Sequence, residues 1–372
     1  MLDPIEAALI EAALQAENHA EVVRLLGTLD QQNSWTQLYW ARLWETTQKE
    51  DQAESSYRNL LRQAENPKLT LAARQGLERL KMQRTQFRQE AIIEAIADPI
   101  KTEIGVLVLA PIPPAQKTEA AQAIAQIMNL DPYSARMLLP SRGIRLYRIG
   151  AVGELEFFGQ QLRNKGIPVF WLPLSKIKTV TVYPVLHFES IEGKARVCIQ
   201  SAEADQEQQS IQFAWSDVAA RIEGQIPIFE EVLDRDARGK LLRKEKTQDY
   251  ANFCDLHLPK QNCILRFSDA VYQFNRGVNL TPQAALDQPL KHNTAWANWR
   301  QLSGLLSQNL SQQPIYSDFE SFAETALEHP ELLSKLTTHI DLFRREESDW
   351  DPAFQLYSAL LFLKPLDALV TA

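Results

Sequence analysis

The first part of the chain has the hydrophobic pattern of short helices. Residues 1–98 are rich in Ala, Leu, Glu, Gln and Arg, which favour helices. Helix-breaking residues are rare, since Gly27 is the only glycine before Gly76 and Pro4 the only proline before Pro67. Polar breaks fall near residues 17–19, 30–33, 49–51 and 65–67. The alternation of helix formers and breaks predicts antiparallel helical hairpins over residues 1–98.

The pattern changes after Pro99. An apolar run at residues 104–110 predicts a buried strand, and an alternating run at residues 144–149 predicts a second one. Helical patterns cover residues 116–127, 131–139 and 152–165, with a helix stop at Gly166 and a last strand at residues 167–171. Residues 99–175 therefore predict a domain with the element order β-α-α-β-α-β.

Two further blocks follow. Residues 176–290 carry short alternating runs bounded by polar turns, which favour an antiparallel sheet or barrel. Residues 291–372 return to helical patterns, with 3.6-residue apolar stripes over residues 332–343 and 353–363. The whole pattern predicts a multi-domain α+β fold with domains at residues 1–98, 99–175, 176–290 and 291–372.

The spacing of large and small residues in the first domain can be compared with known helical repeats. A tetratricopeptide unit of about 34 residues carries a large and a small residue in helix A, and a small residue followed by an aromatic one in helix B. Matching positions here are Trp40, Ala41, Trp44, Ala53, Tyr57 and Pro67, with Ala20 one repeat upstream and Gly76 downstream. The segment resembles a tetratricopeptide array of two to three imperfect units. The alternative is a plain helical bundle.

This resemblance implies a binding groove lined by the A helices. Helical spacing then places Trp35, Leu38, Arg42 and Glu45 on the concave face, whereas Trp40, Ala41 and Trp44 would pack inward. In overall arrangement the chain also resembles lineage-restricted tetratricopeptide proteins of cyanobacteria. That resemblance implies a protein partner.

The second domain resembles another family. Its element order, together with the local sequences at residues 130–139 and 155–169, is similar to the C-terminal domain of the bacterial ribosomal stalk protein and to the related Clp-protease N-degron adaptor fold. The stalk family docks GTPases through basic positions, which fall here on Lys117, Gln122, Ala125 and Arg136. Since Gln122 and Ala125 are not basic, the resemblance implies a docking surface that retains only Lys117 and Arg136.

Charge and composition limit the classes of partner. The formal net charge is −8 at pH 7, whereas nucleic-acid binding needs a basic face. We therefore expect protein partners and no nucleic acid. The chain starts without a signal-peptide pattern, contains no apolar run of transmembrane length and has three cysteines. These features predict a cytoplasmic protein with reduced thiols and no integral membrane segment.

Sequence motifs for chemistry are sparse. Cys254, His257 and Cys263 are metal-type ligands within ten positions, but a structural zinc site needs four ligands and no second pair follows. Acidic residues at 230–236 precede basic ones at 238–246, which reads as a solvated turn or hairpin of mixed charge. Gly-rich phosphate loops and the G-x-S-x-G motif are absent from the sequence. We therefore expect no catalytic residues, metal or cofactor.

These observations predict a non-catalytic scaffold, adaptor or assembly factor. It would bind one protein through the helical groove and another through the α/β domain. Two alternatives remain open at this point. One is a Clp-protease or translation accessory factor acting through the α/β domain, and the other is an enzyme with an unrecognised site in residues 176–290.

Overall fold

The computed structural model describes residues 3–63, 66–200, 209–235, 241–280, 294–344 and 347–365, with side-chain surroundings for all of these except 230–246. The chain is a mixed α/β protein that divides into two compact units, Met1–Glu94 and Ala95–Ala372. The predicted boundaries near residues 175 and 290 therefore fall inside the second unit.

The first unit is helical, as its sequence pattern predicts. The described helices are α1 (Pro4–Gln15), α2 (His19–Gly27), α3 (Ser34–Thr46), α4 (Glu50–Gln63) and α5 (Pro67–Ile96), the last of which runs across the unit boundary. Each predicted break separates two of these helices. Asn18 and Asn33 lie in two of these breaks and are N-caps, as Asp3 is for α1, because their side chains accept hydrogen bonds from first-turn N–H groups.

Helix α3 is the centre of the first unit. Its Tyr39 and Leu43 belong to a cluster with α1 and α2, whereas its Leu38 and Ala41 belong to a cluster with α4 and α5. Burial on both sides explains why α3 carries large apolar residues around most of its circumference. Trp40 and Trp44 are partly buried and stack with their ring centroids 5.8 Å apart.

Small residues set the approach of α5 to α4. The ring of Tyr57 lies so close to Gly76 that a Cβ atom at Gly76 would stand 2.3 Å from it. Ala53, on the same helix as Tyr57, is fully buried. Of the small positions in the repeat pattern, Gly76 thus lies where α5 packs closely against α4, and Ala53 lies in the core.

The second unit begins with the predicted β-α-α-β-α-β order. Its elements are β1 (Ile104–Leu109), α6 (Lys117–Met128), α7 (Pro132–Leu138), β2 (Arg145–Ala151), α8 (Val152–Asn164) and β3 (Val169–Pro173), followed by the short α9 (Leu174–Lys178). The strands form an antiparallel sheet in the order β2-β1-β3. Gly166 follows α8 with φ +74°, the left-handed conformation expected of a glycine helix stop.

A larger sheet follows. Its strands are β4 (Thr181–Ser190), β5 (Lys194–Ile199), β6 (Gln209–Ala214), β7 (Ala220–Arg235), β8 (Leu241–Leu258), β9 (Cys263–Ser268) and β10 (Ile315–Tyr316). Among the described residues they are ordered β10-β7-β8-β9-β4-β5-β6. The β4–β9 and β7–β10 pairs are parallel, so the sheet is mixed and the prediction of an antiparallel sheet is wrong. Alternation along a strand encodes its two faces but not the direction of its neighbours.

The mixed-charge run lies on a hairpin, as predicted. The backbone of β7 pairs with that of β8 from Ala220↔His257 out to Arg235↔Leu241. The residues of β8 that precede Phe253 do not pair with β9, so this part of the hairpin consists of β7 and β8 alone. Asp236, Arg238 and Lys240 lie outside the described residues.

Both faces of the larger sheet are covered by helices. Helix α10 (Ala295–Asn309) packs on one face through Leu302 and Leu306. Helices α11 (Phe319–Ala326), α12 (Pro330–Leu333) and α13 (Trp350–Leu363) contribute to the core on the other face. Val106 and Phe170 of the three-stranded sheet belong to that same core. All three blocks predicted after residue 98 therefore contribute to this core.

One predicted helix is wrong. Residues 332–343 have an apolar stripe, but α12 ends at Leu333 and residues 338–344 form an irregular segment, which we call the strap. His339 has φ +51°, which a helix does not tolerate. The Thr338 carbonyl accepts a hydrogen bond from Arg266 of β9, and this tertiary contact replaces the helical one.

The close contact at Gly76 gives a test of the first unit. Gly76→Ala is expected to lower the free energy of unfolding by about 1–3 kcal/mol, because the added methyl group overlaps the Tyr57 ring. Gly27→Ala is the matched control, since a Cβ atom there meets nothing within 4 Å. Chemical denaturation measures both. Equal effects of the two variants would contradict the packing described here.

Candidate functional sites

The predicted groove residues on α3 differ in accessibility. Trp35 is partly buried against the core, and the Arg42 side chain is 33% exposed. Glu45 is largely enclosed, with 8% of its side chain exposed. Leu38 is only 4% exposed and lies within the core between α3, α4 and α5. We therefore correct the assignment of Leu38 from groove residue to core residue.

Ion pairs connect α1, α3 and α5. The Arg42 guanidinium on α3 pairs with Glu11 of α1, and Arg79 of α5 donates to both carboxylate oxygens of Glu45 at 2.7 and 2.9 Å. The hydroxyl of Tyr57 donates to Glu45 at 2.6 Å. Burial and this carboxylate raise the pKa of Tyr57, so its hydroxyl stays protonated.

Two ion pairs have a sequence spacing equal to the repeat length that the sequence pattern predicts. Glu45 and Arg79 are 34 positions apart, and so are Glu50 and Arg84, which meet at 2.6 Å. Both arginines lie on the continuous helix α5, which therefore contacts the end of α3 and the start of α4. The strip of charged side chains on α1, α3 and α5 consists of Glu11, Arg42, Glu45 and Arg79.

The second predicted docking surface is centred on α7. Arg136 is exposed, and it is flanked on the same helix by Tyr133 (75% exposed) and Met137 (64% exposed). The Lys117 ammonium donates to the Leu139 carbonyl at 3.2 Å, and Arg145 Nη1 donates to the Met137 carbonyl at 3.3 Å. Both remaining basic positions, Lys117 and Arg136, thus lie near α7. We call Tyr133, Arg136, Met137, Lys117 and Arg145 the α7 surface.

A fully buried ion pair lies at the centre of the larger sheet. Arg266 of β9 donates to Asp255 of β8 through Nε at 2.9 Å and through Nη2 at 2.7 Å, and both side chains are at most 1% exposed. Ser358 of α13 donates to the same carboxylate at 2.6 Å. His257 Nε2 lies 3.1 Å from the Ser358 hydroxyl.

The protonation of this chain follows from its hydrogen bonds. Because Ser358 gives its only proton to Asp255, His257 Nε2 must carry a proton and donate. Burial lowers the pKa of His257 to about 4, so its imidazole is neutral at pH 7. In a hydrolytic triad the histidine stands between the serine and the acid, whereas here the serine stands between the other two. The order therefore differs from that of a hydrolytic triad. The two hydrogen bonds of Ser358 join α13 to β8 of the sheet.

The metal-type residues in the larger sheet do not converge. Cys254 and Cys263 belong to the core on the α10 face, whereas His257 interacts with Ser358 of α13 on the opposite face. Burial raises the pKa of Cys254 to about 12 and that of Cys263 to about 11, which keeps both thiols protonated. Among the described residues, no three His, Cys, Asp or Glu side chains form a metal-binding group.

Sequence reasoning missed the buried pair and the apolar part of the α7 surface. A signal for the pair exists, because Asp255 and Arg266 each interrupt an apolar run of a strand. Two opposite charges in adjacent buried strands indicate a pair, since a lone buried charge is too costly. Tyr133 and Met137 carry no comparable signal, because their exposure depends on what α7 packs against.

Comparisons with known proteins leave the family open. No family model, curated protein or solved structure matches this chain. Within the described part of the chain, no helix has both the length and the apolar character needed to cross a membrane.

The buried pair gives a mutational test. Asp255→Ala and Arg266→Ala are each expected to lower the free energy of unfolding by about 3–5 kcal/mol, because each leaves an uncompensated buried charge. The double variant should cost clearly less than the sum of the two. Lys260→Ala, which breaks the exposed pair with Asp217, is the control and should cost at most about 1 kcal/mol. Additive losses from the first two variants would refute the coupling.

The neutral histidine gives a pH test. His257 titrates near pH 6.5 when unfolded but near pH 4 when folded, so the unfolded chain binds more protons between these values. The contribution of the neutral His257 to the free energy of unfolding is therefore fully present above pH 6.5 and declines as the pH falls toward 4. His257→Gln should flatten this decline in denaturation midpoints measured at several pH values. Part of the slope should remain, because burial also lowers the pKa of His339.

Proposed function

We propose that this chain is a non-catalytic adaptor whose first unit is a tetratricopeptide-type array that binds a segment of a partner protein. The observation that carries the proposal is the 34-residue spacing of the ion pairs Glu45–Arg79 and Glu50–Arg84. Helical-repeat proteins stack equivalent hairpins side by side, and such stacks present extended surfaces to ligands. The charged strip on α1, α3 and α5 is the proposed contact surface.

The α7 surface is the proposed second docking site. Tyr, Met and Arg are enriched at protein interfaces, and all three are exposed on consecutive turns of α7. Lys117 and Arg145 add positive charge, although the chain as a whole is negative. This surface therefore suits an acidic partner segment that carries an apolar side chain.

A second candidate function uses the α7 surface alone. The basic and apolar character of α7 also favours an accessory factor for a Clp protease or a translational GTPase, which would dock on this surface. If only the α7 variant loses a captured protein, and that protein is a Clp ATPase or a translational GTPase, the result supports the accessory factor over the adaptor. An enzyme site in the larger sheet has no such support, because the Asp255–Arg266–Ser358–His257 chain is buried.

The experiment is quantitative capture of proteins from an extract of the native host. The immobilised baits are the wild-type chain, Arg42→Ala and the double variant Tyr133→Ser/Met137→Ser. Arg42→Ala should reduce capture of one partner at least about tenfold, in the range of an interface hot spot. Its ion pair with Glu11 is partly exposed, so stability should change by about 1 kcal/mol or less.

Arg24→Ala is the matched control for the first unit. Arg24 on α2 also pairs with a glutamate, Glu21, but its side chain is 65% exposed and lies outside the charged strip. This control should capture partners as the wild-type chain does. If Arg42→Ala and the α7 double variant both retain every captured protein, neither surface is a binding site and the adaptor function is excluded.

A further inference from the structure

Helix α1 is apolar around most of its circumference. Its 12 residues include only three polar ones, Glu6, Glu11 and Gln15. Ile10, Ala13 and Leu14 are buried in the cluster that joins α1 to α2 and α3. A surface helix normally carries charged or polar residues opposite such a core face, and a helix that is apolar on all sides is normally buried on all sides. The outer face of α1 therefore has the character of a contact surface.

This outer face is an exposed row of apolar side chains, which we call the α1 stripe. It consists of Ile5, Leu9, Ala12 and the C-cap Ala16, whose spacings of four, three and four residues place them in line along the helix. Ile5 is 71% exposed and Leu9 is 52% exposed, and both alanines are exposed as well. Contiguous exposed apolar surface of this kind marks interaction sites.

The α1 stripe lies on the side of the helix away from the core. Ile5 and Leu9 each precede a buried residue, Ile10 and Leu14, by five positions. At about 100° per residue, five positions correspond to roughly 140° around the helix axis. The core of the first unit therefore does not cover the stripe, and its occupant must come from elsewhere.

The size of the side chains along the stripe selects that occupant. The first half of the stripe carries the large Ile5 and Leu9, whereas the second half carries the small Ala12 and Ala16. A second α1 helix in the antiparallel direction would place Leu9 opposite Ala12 and Ile5 opposite Ala16, in both senses at once. Facing surfaces pack best when large residues meet small ones. The stripe is thus complementary to itself, as a two-fold symmetric interface requires.

The charges of α1 are compatible with a second copy and unfavourable for a membrane surface. Helix α1 contains no Lys or Arg, whereas helices that lie on membranes carry them on their polar face. The stripe itself carries no charge, so its burial would leave no ionised group without water. Antiparallel helices also place the positive N-terminal end of each beside the negative C-terminal end of the other.

We propose that two copies of this chain associate through the α1 stripe, with their α1 helices antiparallel. Leu9 of each copy packs over Ala12 of the other, and Ile5 packs over Ala16. A helix of 12 residues is only about 18 Å long, so the pair buries less surface than a standard interface. The dimer is therefore weak and depends on the concentration of the chain. It goes beyond the adaptor proposal and does not depend on it.

The test is sedimentation velocity of the full chain at rising concentration, without any partner protein. The wild-type chain should shift from monomer to dimer. Leu9→Glu should raise the dissociation constant at least about tenfold, because it places a carboxylate in the apolar contact. Leu71→Glu is the matched control, since Leu71 on α5 is a similarly exposed leucine, at 57%, outside the stripe. Both positions are exposed, so the thermal midpoints of dilute samples should stay unchanged.

A size swap tests the antiparallel pairing itself. Leu9→Ala should weaken the dimer by removing a large side chain, and Ala12→Leu should weaken it by setting a large side chain against a large one. The double variant Leu9→Ala/Ala12→Leu should recover most of the lost affinity, because the large and small positions then exchange places on both copies. A different partner protein would gain nothing from this exchange.

Three results would overturn the proposal. The first is a wild-type chain that stays monomeric at every concentration, which would leave the stripe to another occupant. The second is an equal effect of Leu9→Glu and Leu71→Glu on the dissociation constant. The third is a double variant that dimerises more weakly than either single variant.

Discussion

The buried ion pair between Asp255 and Arg266 constrains most of the second unit. Both charges are removed from water, so each must be neutralised and hydrogen-bonded for the fold to exist. The bidentate contact places β8 and β9 in register, and the remaining lone pairs and N–H groups bind Ser358 of α13 and the Thr338 carbonyl of the strap. A pair of this kind adds little net stability, but a structure that leaves it incomplete is strongly disfavoured. It therefore selects one arrangement of sheet, helix and strap.

The packing around the pair follows from that arrangement. The guanidinium carbon of Arg266 lies over the ring of Phe354 on α13, 5.0 Å from the ring centroid. The same ring contacts the sheet at Gly224 of β7. A Cβ atom at Gly224 would stand 2.6 Å from Phe354, so only glycine lets the ring approach this closely. Residues 351–361 of α13 are all buried as a result.

Local features of the fold could be predicted from the sequence, whereas long-range pairings could not. Helix breaks at Asn18 and Asn33 and the stop at Gly166 are encoded by capping residues within a few positions. The parallel β4–β9 pair joins segments separated by four intervening strands, and the strap is shaped by Arg266, more than 70 positions upstream. For the candidate sites, Arg42, which is placed by helical spacing, is partly exposed, and Arg136, which is placed by the stalk-family resemblance, is exposed. Leu38 is buried because α3 packs on two sides.

The central claim is that the polar pair makes β8, β9 and α13 a single cooperative unit. Native-state hydrogen exchange, followed peptide by peptide under increasing denaturant, tests it most directly. The backbone N–H groups of residues 253–267 and 350–363 should exchange together, with one free energy equal to that of global unfolding of the second unit. Exchange of α13 through its own lower-energy opening, with β8 and β9 still protected, would contradict the account.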